Sequence, residues 1–140
     1  MNSETLAHIH WLHVLVAGLA YFMLGAIWYS KLLFAPAWLK YTGIDVNDPN
    51  ATKGAAAAFG GSLVLMLISS FAMALLVYKL ETCGIVNGLK LGALVGFCFG
   101  SSAISVSYLY EKRPFQLHLI NGGYTVLGNM IAGAILATWH

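Results

Sequence analysis

The stretch that decides the fold is Gly84-Ile85-Val86-Asn87-Gly88-Leu89-Lys90-Leu91-Gly92-Ala93-Leu94-Val95-Gly96-Phe97-Cys98-Phe99-Gly100. Glycine returns at every fourth position, at Gly84, Gly88, Gly92, Gly96 and Gly100. In a helix exposed to water each glycine costs about 1 kcal/mol relative to alanine. Five at one spacing would make a poor soluble helix. Inside a membrane the same pattern is useful, because small residues four apart let a second helix approach to backbone contact. The stretch therefore predicts a membrane helix with a close-packing face. Two occupants of that face stay open: a helix of the same chain, or a second copy. Ala56, Gly60 and Gly61 offer one matching small surface within the chain. Thr125, Asn129, Gly133 and Ala137 offer another.

Charge placement extends this reading to the whole chain. Of 140 residues 59% are hydrophobic and 9% are charged, against about 25% charged in soluble domains. The charged residues fall in clusters: Glu4; Lys31, Lys40, Asp45, Asp48 and Lys53; Lys79, Glu81 and Lys90; and Glu111, Lys112 and Arg113. Four uncharged stretches remain, 5–30, 54–78, 91–110 and 114–140. Each reaches the ~20 residues that cross the hydrocarbon. The expected architecture is all-α, with four transmembrane helices in an antiparallel bundle forming a single domain over 1–140. The expected spans are 11–29, 56–77, 84–109 and 115–139. No basic n-region or small-residue cleavage site precedes the first span, so it is expected to remain in the mature protein.

The first loop is the longest. Its segment 32–41, Leu-Leu-Phe-Ala-Pro-Ala-Trp-Leu-Lys-Tyr, is too apolar for water and too short to span. It reads as a short interfacial helix started by Pro36 and ended by Gly43. Asp45 and Asp48 lack the spacing of a calcium loop. Trp11, Trp28, Trp38 and Trp139 stand at the ends of apolar stretches, as interface anchors do. Five Lys and Arg in the first and third loops against two in the second place those loops in the cytoplasm and both termini outside. A net charge of +2 with no basic stripe excludes nucleic acid as a partner; the bilayer is the expected one.

Chemistry-bearing residues concentrate in the last span. His118, Asn121, Thr125 and Asn129 recur at steps of three and four, so they share a helical face, with Tyr124 beside it. Polar groups in lipid are costly unless partnered, so this face should point into the bundle. It supports either packing hydrogen bonds or a polar pathway. Tyr29 and Ser30, at the end of the first span, reach the same depth as Asn121 and Tyr124 and complete the candidate polar cluster. No Asp, Glu, Lys or Arg lies deep in a span, which argues against charge-driven transport. His10 and His13 are the candidate metal ligands, since imidazoles at i and i+3 can share a face. They lack the further ligands of a structural zinc site. His13 and His118 fall at opposite depths, which disfavours a haem held between them. Cys83 and Cys98 are too far apart along one helix to pair. No nucleophile, zinc-protease or phosphate-loop motif is present, so neither catalysis nor a cofactor is expected.

Two segments carry a resemblance. One is Gly25-Ala26-Ile27-Trp28-Tyr29-Ser30 followed by Leu33-Phe34 and Trp38. The other is Ile120-Asn121-Gly122-Gly123-Tyr124 followed by Gly133-Ala134-Ile135-Leu136 and Trp139. Together they resemble DUF1761, a bacterial membrane family of unknown function, over nearly the whole chain. Lys31 departs from the pattern, where proline is expected after the serine. The resemblance implies a compact four-helix protein of the bacterial cytoplasmic membrane and transfers no activity. The expected function is a homo-oligomeric channel or transporter for a small, weakly polar solute; the alternative is a non-catalytic structural or accessory subunit of a larger membrane complex.

Overall fold

A computed structural model describes residues 3–139. His140 lies outside the described residues. Among the described residues every regular element is helical. A short α1 (Ser3–Ala7) leads into α2 (Trp11–Trp28). Next come α3 (Ala35–Thr42), α4 (Ala55–Lys79) and a third span built from α5 (Ile85–Val95), a π-helical segment (Gly96–Ser101) and α6 (Ser102–Tyr110). The chain closes with α7 (Phe115–Thr138). Four of these units, Trp11–Trp28, Ala55–Lys79, Ile85–Tyr110 and Phe115–Thr138, are long and apolar enough to cross a membrane. The protein is a four-span membrane protein.

The order of packing follows from side-chain size. α7 is the most buried span, at 44% against 22% for α2 and α4 and 17% for the third span. It carries Gly122, Gly123, Gly128 and Gly133 on its different faces, so three helices can approach it. α2 and α4 pack against it and against each other. Their shared core holds Val14, Ala17, Met73, Ala74, Val77, Ala132 and Leu136, with Ile9 closing one end. The third span joins from the other side and rests almost entirely on α7. It barely touches α4, although only a few residues connect the two.

The glycine ladder settles on α7 of the same chain. A Cβ at Gly88 would lie 2.8 Å from Ala134 Cα, and one at Gly92 2.5 Å from Met130 Cα. A Cβ at Gly96 would lie 2.7 Å from Val126 Cα, and one at Gly100 would overlap the Thr125 methyl. Rising numbers on one helix meet falling numbers on the other, so the pair is antiparallel. Of the two surfaces offered by sequence, the stripe through Thr125, Asn129 and Gly133 is the mate. Gly60 and Gly61 have nothing within 4 Å of an added Cβ. Gly84 needs a correction: it is not a packing rung. It caps α5 with φ +84°, a conformation that favours glycine, and its N–H donates to Ala137 O at 2.9 Å.

The π segment explains why the ladder stays on one neighbour. In an α-helix each four-residue step overshoots a full turn by ~40°, so three steps would rotate Gly100 well away from Gly88. A π turn is wider, closed by i→i+5 bonds, and the same step falls short of a full turn. The Gly96-to-Gly100 step therefore reverses the drift. It also aims Ser101 at α7, where its hydroxyl donates to Gly122 O at 2.8 Å.

The interfacial helix forms as α3, with Pro36 in its first turn and Gly43 at φ +74° ending it. One core position is imperfect. Ser70 is fully buried, and its hydroxyl has no partner among the described residues. An unpaired buried hydroxyl costs about 1–3 kcal/mol. Ser70→Ala is expected to raise stability by about 1 kcal/mol in reversible unfolding by sodium dodecyl sulfate in mixed micelles; a loss of stability would mean the hydroxyl has found a partner.

Candidate functional site

The predicted polar residues run from one end of the bundle to its middle, joined where Tyr29 meets the Tyr124 ring edge-on at 5.4 Å and where Thr125 donates to Asn121 O. Two parts of this run differ in their bonding.

At the end, Tyr29 O–H donates to Asn121 Oδ1 at 2.5 Å, and Asn121 Nδ2 donates to Tyr108 Oη at 2.6 Å. This chain of bonds ties the end of α2 through α7 to α6. Trp28 Nε1–H adds a bond to Ile120 O at 2.9 Å. The anchor expected at Trp28 is thus also a strut between helices. Trp38 of α3 meets Tyr29 edge-on with ring centroids 5.9 Å apart. Ser30, predicted to join the cluster, contributes no side-chain bond: its hydroxyl is buried without a partner among the described residues. His118 is half-buried on α7 and packs against Tyr108 and Phe115, so it is set against rings. Asn121→Leu removes the shared partner of two phenols. It is expected to cost about 1–2 kcal/mol in the same unfolding assay, since stranded polar groups cost more than the bond itself contributes. Retention of full stability would show that the bonds are dispensable.

In the middle, Tyr124 O–H lies 3.2 Å from Tyr21 O and 3.4 Å from Met66 S, and its ring stacks on Tyr21 at 5.4 Å. Thr125 donates along its own helix to Asn121 O at 2.9 Å. Asn129 is 5% exposed. Its Nδ2 donates to Thr125 O at 2.9 Å and reaches Tyr21 Oη only at 3.5 Å. Among the described residues its Oδ1 accepts only from Ser69, at 3.4 Å. The bonds to Tyr21 and Ser69 exceed the usual range of 2.7–3.2 Å. An amide oxygen carries two lone pairs, so this buried amide retains unused capacity.

Asn129 faces a groove. Because α4 and the third span diverge, about 440 Å3 opens between them, within the range of small-molecule sites. α4 supplies Ser62, Leu65, Met66 and Ser69 to one wall. Val95 and the π segment's Phe99 and Gly100 form the other, and Tyr21, Thr125 and Asn129 form the floor. These positions lie roughly 10–15 Å from the helix ends at 1.5 Å per residue. The groove is a mid-membrane feature. Among its lining residues none is charged.

The profile of the family described as protein of unknown function (DUF1761) matches residues 12–137. The chain belongs to the DUF1761 family. No curated protein and no solved structure matches it. The match covers both sites of this DUF1761 protein, the bonded end and the groove.

The outer histidines of this family member occupy the opposite end. His13 packs on Trp139 with centroids 4.5 Å apart and on His10 at 4.9 Å, while His8 stacks on Tyr78. Trp11 stacks on Phe71. The hollow beneath holds about 30 Å3. Among the described residues no three His, Cys, Asp or Glu side chains are grouped so as to hold a metal ion. His10 and His13 are close enough to share a face, but their surroundings are aromatic.

Sequence reading missed Tyr108 as a polar partner. It also missed Ser62 and Ser69 of α4. Their seven-residue spacing, two turns on one face, was the available signal.

Proposed function

We propose that this protein binds a small, neutral, weakly polar molecule inside the membrane, as the binding step of a transporter. The observation that supports this most strongly is Asn129: a buried amide at mid-membrane, with stretched partners, at the floor of an open groove. Polar residues within membranes mark ligand and ion pathways more often than chance placement would. The absence of charge along the groove favours a neutral ligand. The glycine face that motivated a role in a larger complex, or as a seam between copies, is occupied by α7. Self-association would therefore use the other, lipid-facing surfaces. The loop charge bias supports an orientation with both termini outside.

Filling the groove tests the reading. Ser62→Phe places a ring between the walls. Wild type purified in mild detergent is expected to carry a neutral small molecule in near-stoichiometric amount, recovered by solvent extraction and mass spectrometry, and the variant at least tenfold less. Identical extracts from the two proteins, with equal flux of neutral solutes into vesicles, would overturn it.

A further inference from the structure

Where the groove opens bears on what can enter it. Toward the Trp139 end, Gly88 and Gly92 bring the third span into backbone contact with Gly133 and Asn129. That contact closes the seam between the third span and α7. Toward the Phe115 end, the Ser101–Gly122 and Tyr108–Asn121 bonds pin the same two helices together. The groove opens sideways between α4 and the third span, which scarcely touch. Both helices turn apolar side chains outward beside it, including Leu65 and Phe99. At that depth the surroundings are hydrocarbon, not water.

We infer that the groove loads sideways from the bilayer, and that its ligand is an amphiphile of the long-chain alcohol class: one uncharged hydrogen-bonding group on an apolar body. This inference rests on the groove being a binding site. The hydroxyl donates to Asn129 Oδ1, whose present partner, Ser69, is 3.4 Å away. The body lies against Leu65, Met66 and Phe99 and continues out through the mouth into the lipid. Uncharged chemistry follows from the lining, because a charged head would sit at mid-membrane with no counter-charge. The polar atoms lie at the floor, at Thr125 and Asn129, and on the α4 wall, at Ser62 and Ser69, while the facing wall of Val95 and Phe99 is apolar, so the ligand carries one polar group inward on an apolar body.

The π segment has a part in this. It sets Phe99 and Gly100 along the groove while Gly96 and Gly100 remain on α7. π turns within α-helices occur often at functional sites for this reason: one extra residue per turn re-aims side chains without breaking the helix.

The probe is hexadecanol carrying a photoreactive diazirine beside its hydroxyl, presented to the protein in phosphatidylcholine vesicles. Photoreactive hexadecyl sulfate, with the same chain and a charge, and photoreactive propanol, water-soluble and neutral, serve as comparisons. Hexadecanol is expected to label the peptides of Tyr21, Ser69 and Asn129 saturably, with competition by unlabelled hexadecanol. The sulfate should label them at least tenfold less. Labelling should fall at least tenfold in both Ser62→Phe and Leu65→Trp, the second placed on the exposed rim so that the fold is retained; helicity is checked by circular dichroism. Labelling confined to outward residues such as Leu94 and Phe97, without saturation, would overturn the inference. So would equal labelling by the sulfate. Labelling of the floor by propanol but not hexadecanol would overturn lateral loading and leave the binding reading intact. No floor labelling by any probe, with no bound molecule in extracts, would remove both.

Discussion

Gly92→Ala is expected to destabilise the protein by about 3 kcal/mol or more. Overpacking a well-filled core typically costs 1–3 kcal/mol, because neighbouring side chains can shift. At Gly92 the neighbours are backbone: the added carbon would press on the Asn129 carbonyl and lie 2.5 Å from Met130 Cα. Relief requires the third span to move off α7 as a unit. That would separate the other rungs, Gly88 and Gly96, and loosen the groove wall. Gly60→Ala is the matched control. It adds the same carbon in a helix of similar composition, with nothing within 4 Å, and should be neutral or slightly stabilising through helix propensity. Reversible unfolding in mixed micelles measures both. A Gly92→Ala protein as stable as Gly60→Ala would mean the seam is looser than its geometry. Oligomeric mass in mild detergent separates the two occupants considered from sequence. A destabilised variant with unchanged mass is the expected result of an internal seam.

Gly128→Ala is expected to cost about 2–3 kcal/mol by a different route. Here the added carbon would overlap the ring of Tyr21, a side chain that can rotate only by leaving its stack on Tyr124. Tyr21→Ala alone is expected to cost about 3–5 kcal/mol as a large-to-small core change. Combined, the two should cost less than their sum by at least 1 kcal/mol, since the alanine methyl enters space the ring has vacated. Coupling of this size is normal for residues in direct contact. Strict additivity would show that Gly128 and Tyr21 do not compete for the same space. Tyr21 also floors the groove, so Gly128→Ala should reduce bound ligand as well as stability, whereas Ser62→Phe should reduce ligand with little loss of stability.

These predictions mark where sequence and structure each had authority. The number of spans followed from charge placement, because a charge inside hydrocarbon is expensive whatever surrounds it. The short helix between α2 and α4 followed from Pro36 and Gly43, whose backbone preferences are local. The inward polar face of α7 was legible from the spacing of Asn121, Thr125 and Asn129. Its partners were not. Tyr108 and Tyr29 are tied to Asn121 across more than one helix, and a belt tyrosine looks the same in sequence whether it meets water or an amide. Ser30 shows the converse: adjacency to Tyr29 did not give it a partner, because the chain turns there and its hydroxyl points elsewhere.

The glycine ladder makes the division sharpest. Its spacing by itself determined that another helix would come to backbone contact, since only glycine leaves that room. Which helix came was decided by tertiary structure, as several stripes of small residues competed for the place. α7 held the position because it offers a glycine opposite Gly88 and hydrogen-bonding groups along the same line. The π turn that keeps the ladder in register is invisible in an unbroken four-residue repeat. The groove is equally a tertiary product: two helices joined by a short loop diverge because both are drawn to α7 from opposite sides, and the space between them belongs to neither sequence segment alone.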